Sequence, residues 1–197
     1  MIELPEAATL ARQSNETIRG KVIRTVIAAH TPHKLDWYWG DPHAYSSLLN
    51  CKTIGDAASY GGQLEIQAGD ARMLFSDGVN LRFLAPGEKA PERHQLLLQF
   101  EDGSHLVASV QMYGGLSAFP EGRNDNKYYL IAKQKPSPVT DRFDEARFDS
   151  LFSTETAKLS LKALLATEQR IPGRGNGVLQ DILFNERMHP KKKAGML

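Results

Sequence analysis

One cysteine, Cys51, stands in the 197 residues, so no disulfide can form within the chain and no four-cysteine metal site can be built from it. A lone thiol fits a reducing compartment, and the cytoplasm is the expected location. No apolar run approaches the ~20 residues that cross a bilayer, and the N-terminus lacks the basic-then-apolar pattern of a secretory signal. No membrane partner is expected. An excess of either charge is missing too: 24 basic residues face 23 acidic ones, for a net charge of +1. That excludes a uniformly basic nucleic-acid binder, but not a local basic stripe. The clearest such run is Lys191-Lys192-Lys193, which reads either as a solvated tail or as part of an anion-binding face. Internal repeats and low-complexity segments are absent. What remains is ordinary globular composition, 41% hydrophobic and 24% charged, enough for one large domain or two small ones.

The first element is a helix over 4–15, with Pro5 in its first turn, where a missing N–H costs nothing, and Glu3 and Glu6 at the positive end of its dipole. Val22 to Ala29 is rich in β-branched residues and reads as a strand. His30 to Gly40 holds His30, His33, Trp37, Tyr38 and Trp39 near Pro32. Two histidines without a completing acid pair do not make a metal site. The segment is a structural loop, or its aromatics stack on bases. Asp41-Pro42 opens a short helix running to Asn50.

Strand signals dominate from Lys52 to Met112. Gln63–Gln67, Met73–Phe75, Gln95–Phe100 and His105–Val110 are extended runs, with hairpin signals at Asp77-Gly78 and Asp102-Gly103. Tyr128–Ala132 reads as a further strand. So many short antiparallel strands predict a β-sandwich with flanking helices. Lys135-Pro136-Ser137-Pro138 is the one linker, and it divides a sandwich domain, 1–135, from an all-helical domain, 136–197. The class is therefore α+β. In the helical part, Asp141–Phe152 reads as a short helix, and Ser153 caps another from Thr154 to about Thr167, with Leu161, Leu164 and Leu165 inward.

The densest signal is Ile171 to Pro190. Gly173, Gly175 and Gly177 cut a turn, and Val178, Leu179, Ile182 and Leu183 then recur on one helical face. Asn176 sits where an N-cap belongs. A helix N-terminus offers unpaired N–H groups and a positive dipole end, which suits a phosphate, although the same pattern also makes a plain helix corner.

The run from Lys162-Ala163-Leu164-Leu165 through the glycine turn to Met188-His189-Pro190-Lys191 resembles the helix–two-turn–helix of the formamidopyrimidine-DNA glycosylase and endonuclease VIII family. Glu3-Leu4-Pro5-Glu6 is similar to the same family's opening motif. The resemblance implies excision of oxidised bases and cleavage of the resulting abasic site, on a nucleotide taken out of the duplex stack. It implies an N-terminal amine as nucleophile, forming a Schiff base at the sugar C1′; an ordinary α-amino group, with pKa about 7.7–8.0, keeps a useful neutral fraction near neutrality. It implies Glu3 as the proton-transfer group, Glu6 in support, and Asn176 holding a backbone phosphate. Gly175, Gly177, Arg174 and Lys191 would stand beside that phosphate. The partner implied is damaged or abasic double-stranded DNA, bound by a monomer without a cofactor.

The chain departs from that pattern at several places. Position 2 carries Ile2 where the family has proline, and a bulky residue there hinders removal of Met1. The free amine then stands one residue further out, by up to roughly 3.5 Å. The family's hairpin lysine is matched best within Gly55–Tyr60, where Ser59 replaces it. Ser109–Gly114 stands where relatives place a wedging arginine; Met112 or Tyr113 is the candidate wedge there, against a role in core packing. The zinc finger common in the family has no cysteines here, so the chain reads as short of that element. Glu3 and Glu6 also have a plain reading as helix-dipole partners. Two functions follow: a glycosylase with lyase activity, or a damaged-DNA-binding relative that has lost the chemistry.

Overall fold

The computed structural model describes residues 1–197. Contacts divide the chain into two units: Met1–Ile2, Ala8–Ser59 and Gln63–Asn124 form the first, and Glu3–Ala7, Tyr60–Gly62 and Asp125–Leu197 the second. The expected linker at Lys135–Pro138 lies inside the second unit, because the segment before it is not the strand its composition suggests. Asn126 accepts hydrogen bonds from the N–H groups of Tyr128 and Tyr129 and starts a helix over Lys127–Gln134. A side-chain cap satisfies the orphan donors of a helix start, and here it overrides the β-propensity of Tyr-Tyr-Leu-Ile.

The first unit is a seven-stranded sheet. Its strands are β1 (Ile23–Ala28), β2 (Asp36–Trp37), β3 (Ile54–Tyr60), β4 (Gln63–Ala68), β5 (Ala71–Leu84), β6 (Leu96–Phe100) and β7 (His105–Pro120). The order is β1-β6-β7-β5-β4-β3, with β2 pairing β7 in parallel. Gln63–Gln67 and Gln95–Phe100 correspond to β4 and β6, but two of the short strands read from sequence are pieces of longer ones. Met73–Phe75 lies within β5, and His105–Val110 is the first part of β7. Asp102-Gly103 makes the expected turn between β6 and β7. Asp77-Gly78 does not turn the chain back. It lies inside β5, where Asp77 pairs with Gly114 and Val79 with Val110, so Gln111, Met112 and Tyr113 bulge from β7 opposite a single residue. Asp77 takes φ of +60°, which asparagine and aspartate tolerate, and a bulge absorbs the kink where a hairpin would have needed a reversal. Phe75, Phe100, Phe119, Leu64, Ile66 and Leu98 are fully buried and form the sheet's core.

The helices are α1 (Leu4–Thr17), α2 (Tyr45–Leu49), α3 (Lys127–Gln134), α4 (Glu145–Asp149), α5 (Leu161–Ala166) and α6 (Asn176–Asn185). The continuous helix expected from Thr154 is broken. A 3-10 turn spans Thr156–Lys158, and α5 has its own cap, Ser160, accepting from Ala163 N–H. The expected helix over Asp141–Phe152 shrinks to α4 because Asp144, accepting from Arg147 N–H, caps it late. Leu4, Leu151, Leu161, Leu164, Leu165, Ile171, Leu179 and Leu183 pack into one apolar cluster. No helix is long and apolar enough to cross a membrane.

Candidate functional site

In the helical unit, the N-terminus of α6 is occupied from within. Glu3 Oε1 accepts from Gly177 N–H at 3.0 Å and Oε2 from Val178 N–H at 2.8 Å. Asn176 is therefore not the N-cap. Gly175 holds that position in extended conformation, and Asn176 begins the helix. A carboxylate satisfies two orphan amides and the dipole at once, more strongly than a neutral asparagine amide. Room for it comes from Gly175, where a Cβ would collide with the Glu3 carboxylate. Glu6 reaches back to Glu3 N–H at 3.1 Å, the reciprocal half of a capping box on α1. Leu4 N–H donates to Gly173 O at 3.0 Å, tying the same N-terminal segment to the glycine turn.

Asn176 is left exposed, its side-chain amide engaged by nothing in the chain. Arg174 is not beside it in solvent. The side chain is buried, and its Nε and Nη2 donate to Leu165 O at 3.0 and 2.5 Å, closing the end of α5. Burial pushes its pKa down to about 10. With Nε and Nη2 drawn onto a helix-end carbonyl, Arg174 is buried against the chain and not exposed beside the turn, unlike its expected place in a DNA contact. Lys191 is exposed, and its run is tied down: Leu161 N–H donates to Lys192 O at 2.9 Å, and Lys193 Nζ to Lys158 O at 2.9 Å.

In the sheet unit a second group forms around the first two residues. Ile2 N–H donates to Asp77 O at 2.5 Å, and Ile2 is buried, while Met1 is 62% exposed. Tyr113 O–H points to Met1 Sδ at 3.3 Å. Met112, at 71% exposure, is not a core residue, and the bulge that carries it stands away from the strand pairing on either side. Trp37 stacks on Tyr113 with ring centroids 6.1 Å apart and planes at 19°. Asp77 was missed by sequence reasoning, because its aspartate–glycine pair imitates a hairpin. Ser59 lies in β3, and Asp56, three residues before it, pairs with Arg19 at 2.9 Å. The family's zinc does not fit the residues present: Cys51 is exposed, and no three histidine, cysteine, aspartate or glutamate side chains gather.

No protein-family model matches the chain. Individual proteins do. A formamidopyrimidine-DNA glycosylase of Lactococcus lactis subsp. cremoris is 28% identical over 204 residues, covering all of this chain and 71% of the relative. That of Brevibacillus brevis is 27% identical over 202 residues, with the same coverage. Over its full length the chain is similar to formamidopyrimidine-DNA glycosylases. Among solved structures, MutM in complex with DNA containing carbocyclic 8-oxo-G superposes with a TM-score of 0.78 at 24% identity, over 99% of this chain and 73% of the other. The Lactococcus lactis enzyme with abasic-site DNA gives 0.77 at 22% identity, over 99% and 72%. At those identities the two superpositions speak for the fold.

Proposed function

We propose that the protein is a base-excision-repair glycosylase with abasic-site lyase activity, acting on oxidised bases in double-stranded DNA as a cytoplasmic monomer. The observation that carries this reading is the anchoring of the N-terminus. Chain ends ordinarily fray unless they are tied down. Here Ile2 N–H is held by Asp77 O and the Glu3 carboxylate by two amides of α6, and Met1 is left exposed at the end. An amine held at a fixed place is what a nucleophile requires.

In the reaction, the neutral Met1 amine attacks C1′. The C1′–base bond breaks with its electrons going to the base nitrogen, which takes up a proton. The attached amine then gives up one proton, the C1′–O4′ bond breaks with its electrons going to O4′, which takes a proton up, and the opened sugar is left as an iminium between the amine nitrogen and C1′. Glu3 is the proposed proton carrier. A carboxylate has about four lone-pair sites; each Glu3 oxygen accepts one bond from α6, so both keep capacity for a proton in transit. Glu6 is a positioning residue, acting through the Glu3 backbone. Asn176 is the proposed phosphate ligand of the turn, and exposed Lys191 is proposed as a further positive charge toward the DNA.

Two observations favour the second reading, a damaged-DNA binder without chemistry. The nitrogen of residue 2 is a peptide N–H already bonded to Asp77 O, and Ser59 is the best match to the hairpin lysine that the family resemblance implies. Borohydride trapping on a duplex with one abasic site, followed by mass mapping, separates the two. The expected product is a reduced adduct on the Met1 amine. DNA shifted on a gel with no adduct formed would establish the binder instead.

A further inference from the structure

Four large hydrophobic side chains of the sheet unit are exposed: Met1, Leu35, Trp37 and Met112, at 62, 57, 43 and 71%. They are not scattered. Leu35 O accepts from Gly114 N–H at 3.0 Å, next to the bulge that carries Met112. Trp37 stacks on Tyr113, whose hydroxyl points to Met1 Sδ. Single exposed apolar residues are normal on a protein surface, but a contiguous group is the mark of an interaction site.

The sheet holds Trp37 in this place deliberately. Strand β2 is only Asp36–Trp37, and its pairing is with Gly114–Gly115 of β7, beside the bulge. The indole lies directly against Gly115, where a side chain would collide with its Nε1. The indole thus stays 43% exposed beside the strand, whereas Trp39 is half-buried and edge-on to the core residue Phe119 at 5.9 Å.

We propose that Trp37, backed by Tyr113, is the surface on which an unstacked nucleobase of the bound DNA rests. This deepens the proposed function and depends on it. The occupant follows from two features of the patch. A flat aromatic face stacks on any base regardless of sequence. The patch is also continuous with Met1, so a nucleotide whose C1′ meets the Met1 amine leaves the unpaired base opposite it free to reach this surface. Met112, on the bulge, then occupies the space such a base leaves in the duplex.

The test uses the full chain carrying Trp39→Phe, which makes Trp37 the sole tryptophan. Its emission is followed while a duplex with one abasic site, or the same duplex undamaged, is titrated in; anisotropy of labelled DNA reports binding independently. The expected result is quenching of Trp37 that saturates with the anisotropy signal and is deeper on the abasic duplex. In the otherwise native chain, Trp37→Ala should weaken binding of the abasic duplex by roughly tenfold, and Trp37→Phe, which keeps a ring, should restore most of it. Binding by anisotropy with unchanged Trp37 emission, or with Trp37→Ala as tight as the native chain, overturns the stacking surface and leaves DNA recognition standing. No anisotropy change with the native chain overturns both. Emission that varies with protein concentration and not with DNA assigns the patch to a second copy of the chain, and also overturns the proposal.

Discussion

At the turn before α6 the polar groups are consumed inside the protein, whereas at the bulge of β7 the apolar groups are left outside it. The turn is the more conspicuous feature by sequence, with three glycines, an asparagine and an arginine. Yet the Gly177 and Val178 amides are bonded to Glu3, the Gly173 carbonyl to Leu4 N–H, and the Arg174 guanidinium to Leu165 O. The bulge has no recognisable motif and carries a fully exposed methionine and a half-exposed aromatic stack. A helix N-terminus is an anion site only while its amides are unpaired. This one already holds an anion, so an approaching phosphate meets the Glu3 carboxylate, and the turn can offer it the Asn176 side chain.

The contrast predicts opposite tolerance to substitution. Gly173 has φ of +75°, and a Cβ there would overlap the backbone of Gly61 and Gly62. Gly173→Ala should cost more than about 3 kcal/mol in urea unfolding, because strain and backbone overlap add. Met112→Ala, on the bulge, should stay within about 0.5 kcal/mol of the native chain. Comparable costs at the two positions would remove the distinction between a turn built for packing and a bulge left for contact.

Much of the helical unit was legible because apolar period and glycine placement are local signals. The α6 helix and the inward Leu161, Leu164 and Leu165 follow from spacing alone. The fate of Asn176 does not. Its rival for the cap, Glu3, lies 174 residues from Gly177 in the chain, and a bond of that separation leaves no trace in a local window. Arg174 misleads for the same reason: a cation in a loop reads as exposed until the carbonyl that claims it is known. In the same unit, Tyr128–Ala132 has strand propensity, and a single asparagine two residues earlier makes it helix. Asp77-Gly78 carries hairpin chemistry, used here to bend a strand. Propensity reports what a segment tolerates, and partners elsewhere in the chain decide among the options.

A smaller effect is expected at Asn176. With the amides taken, its side chain is the turn's remaining neutral donor for a phosphate. Asn176→Ala should weaken DNA binding by about 1–3 kcal/mol, the range for a hydrogen bond to a charged group, in a titration at fixed salt. Stability should change little, since the side chain caps nothing. Unchanged affinity would transfer phosphate binding away from this turn.

A small change is expected at Arg174, which the sequence placed beside a bound phosphate. Arg174→Met fills similar volume and removes a buried cation that has no carboxylate partner, at the cost of leaving Leu165 O unpaired. Those terms oppose each other, so stability near neutral pH should lie within about 1 kcal/mol of the native chain. The pH dependence separates the two contributions. Burial lowers the folded-state pKa to about 10, well below its ordinary value in the unfolded chain. Below pH 10 both folded and unfolded chains keep the proton, and the full penalty of burying the charge is present. Between those two values the unfolded chain holds more protons than the folded one, so this group makes native stability rise with pH. The methionine variant lacks that rise. Measured as variant minus native, stability should move against the variant as pH passes above about 10, while DNA affinity stays unchanged near neutrality. A loss of affinity with unaltered stability would mean that the guanidinium reaches a phosphate after all, and that the turn is less closed than its hydrogen bonds make it.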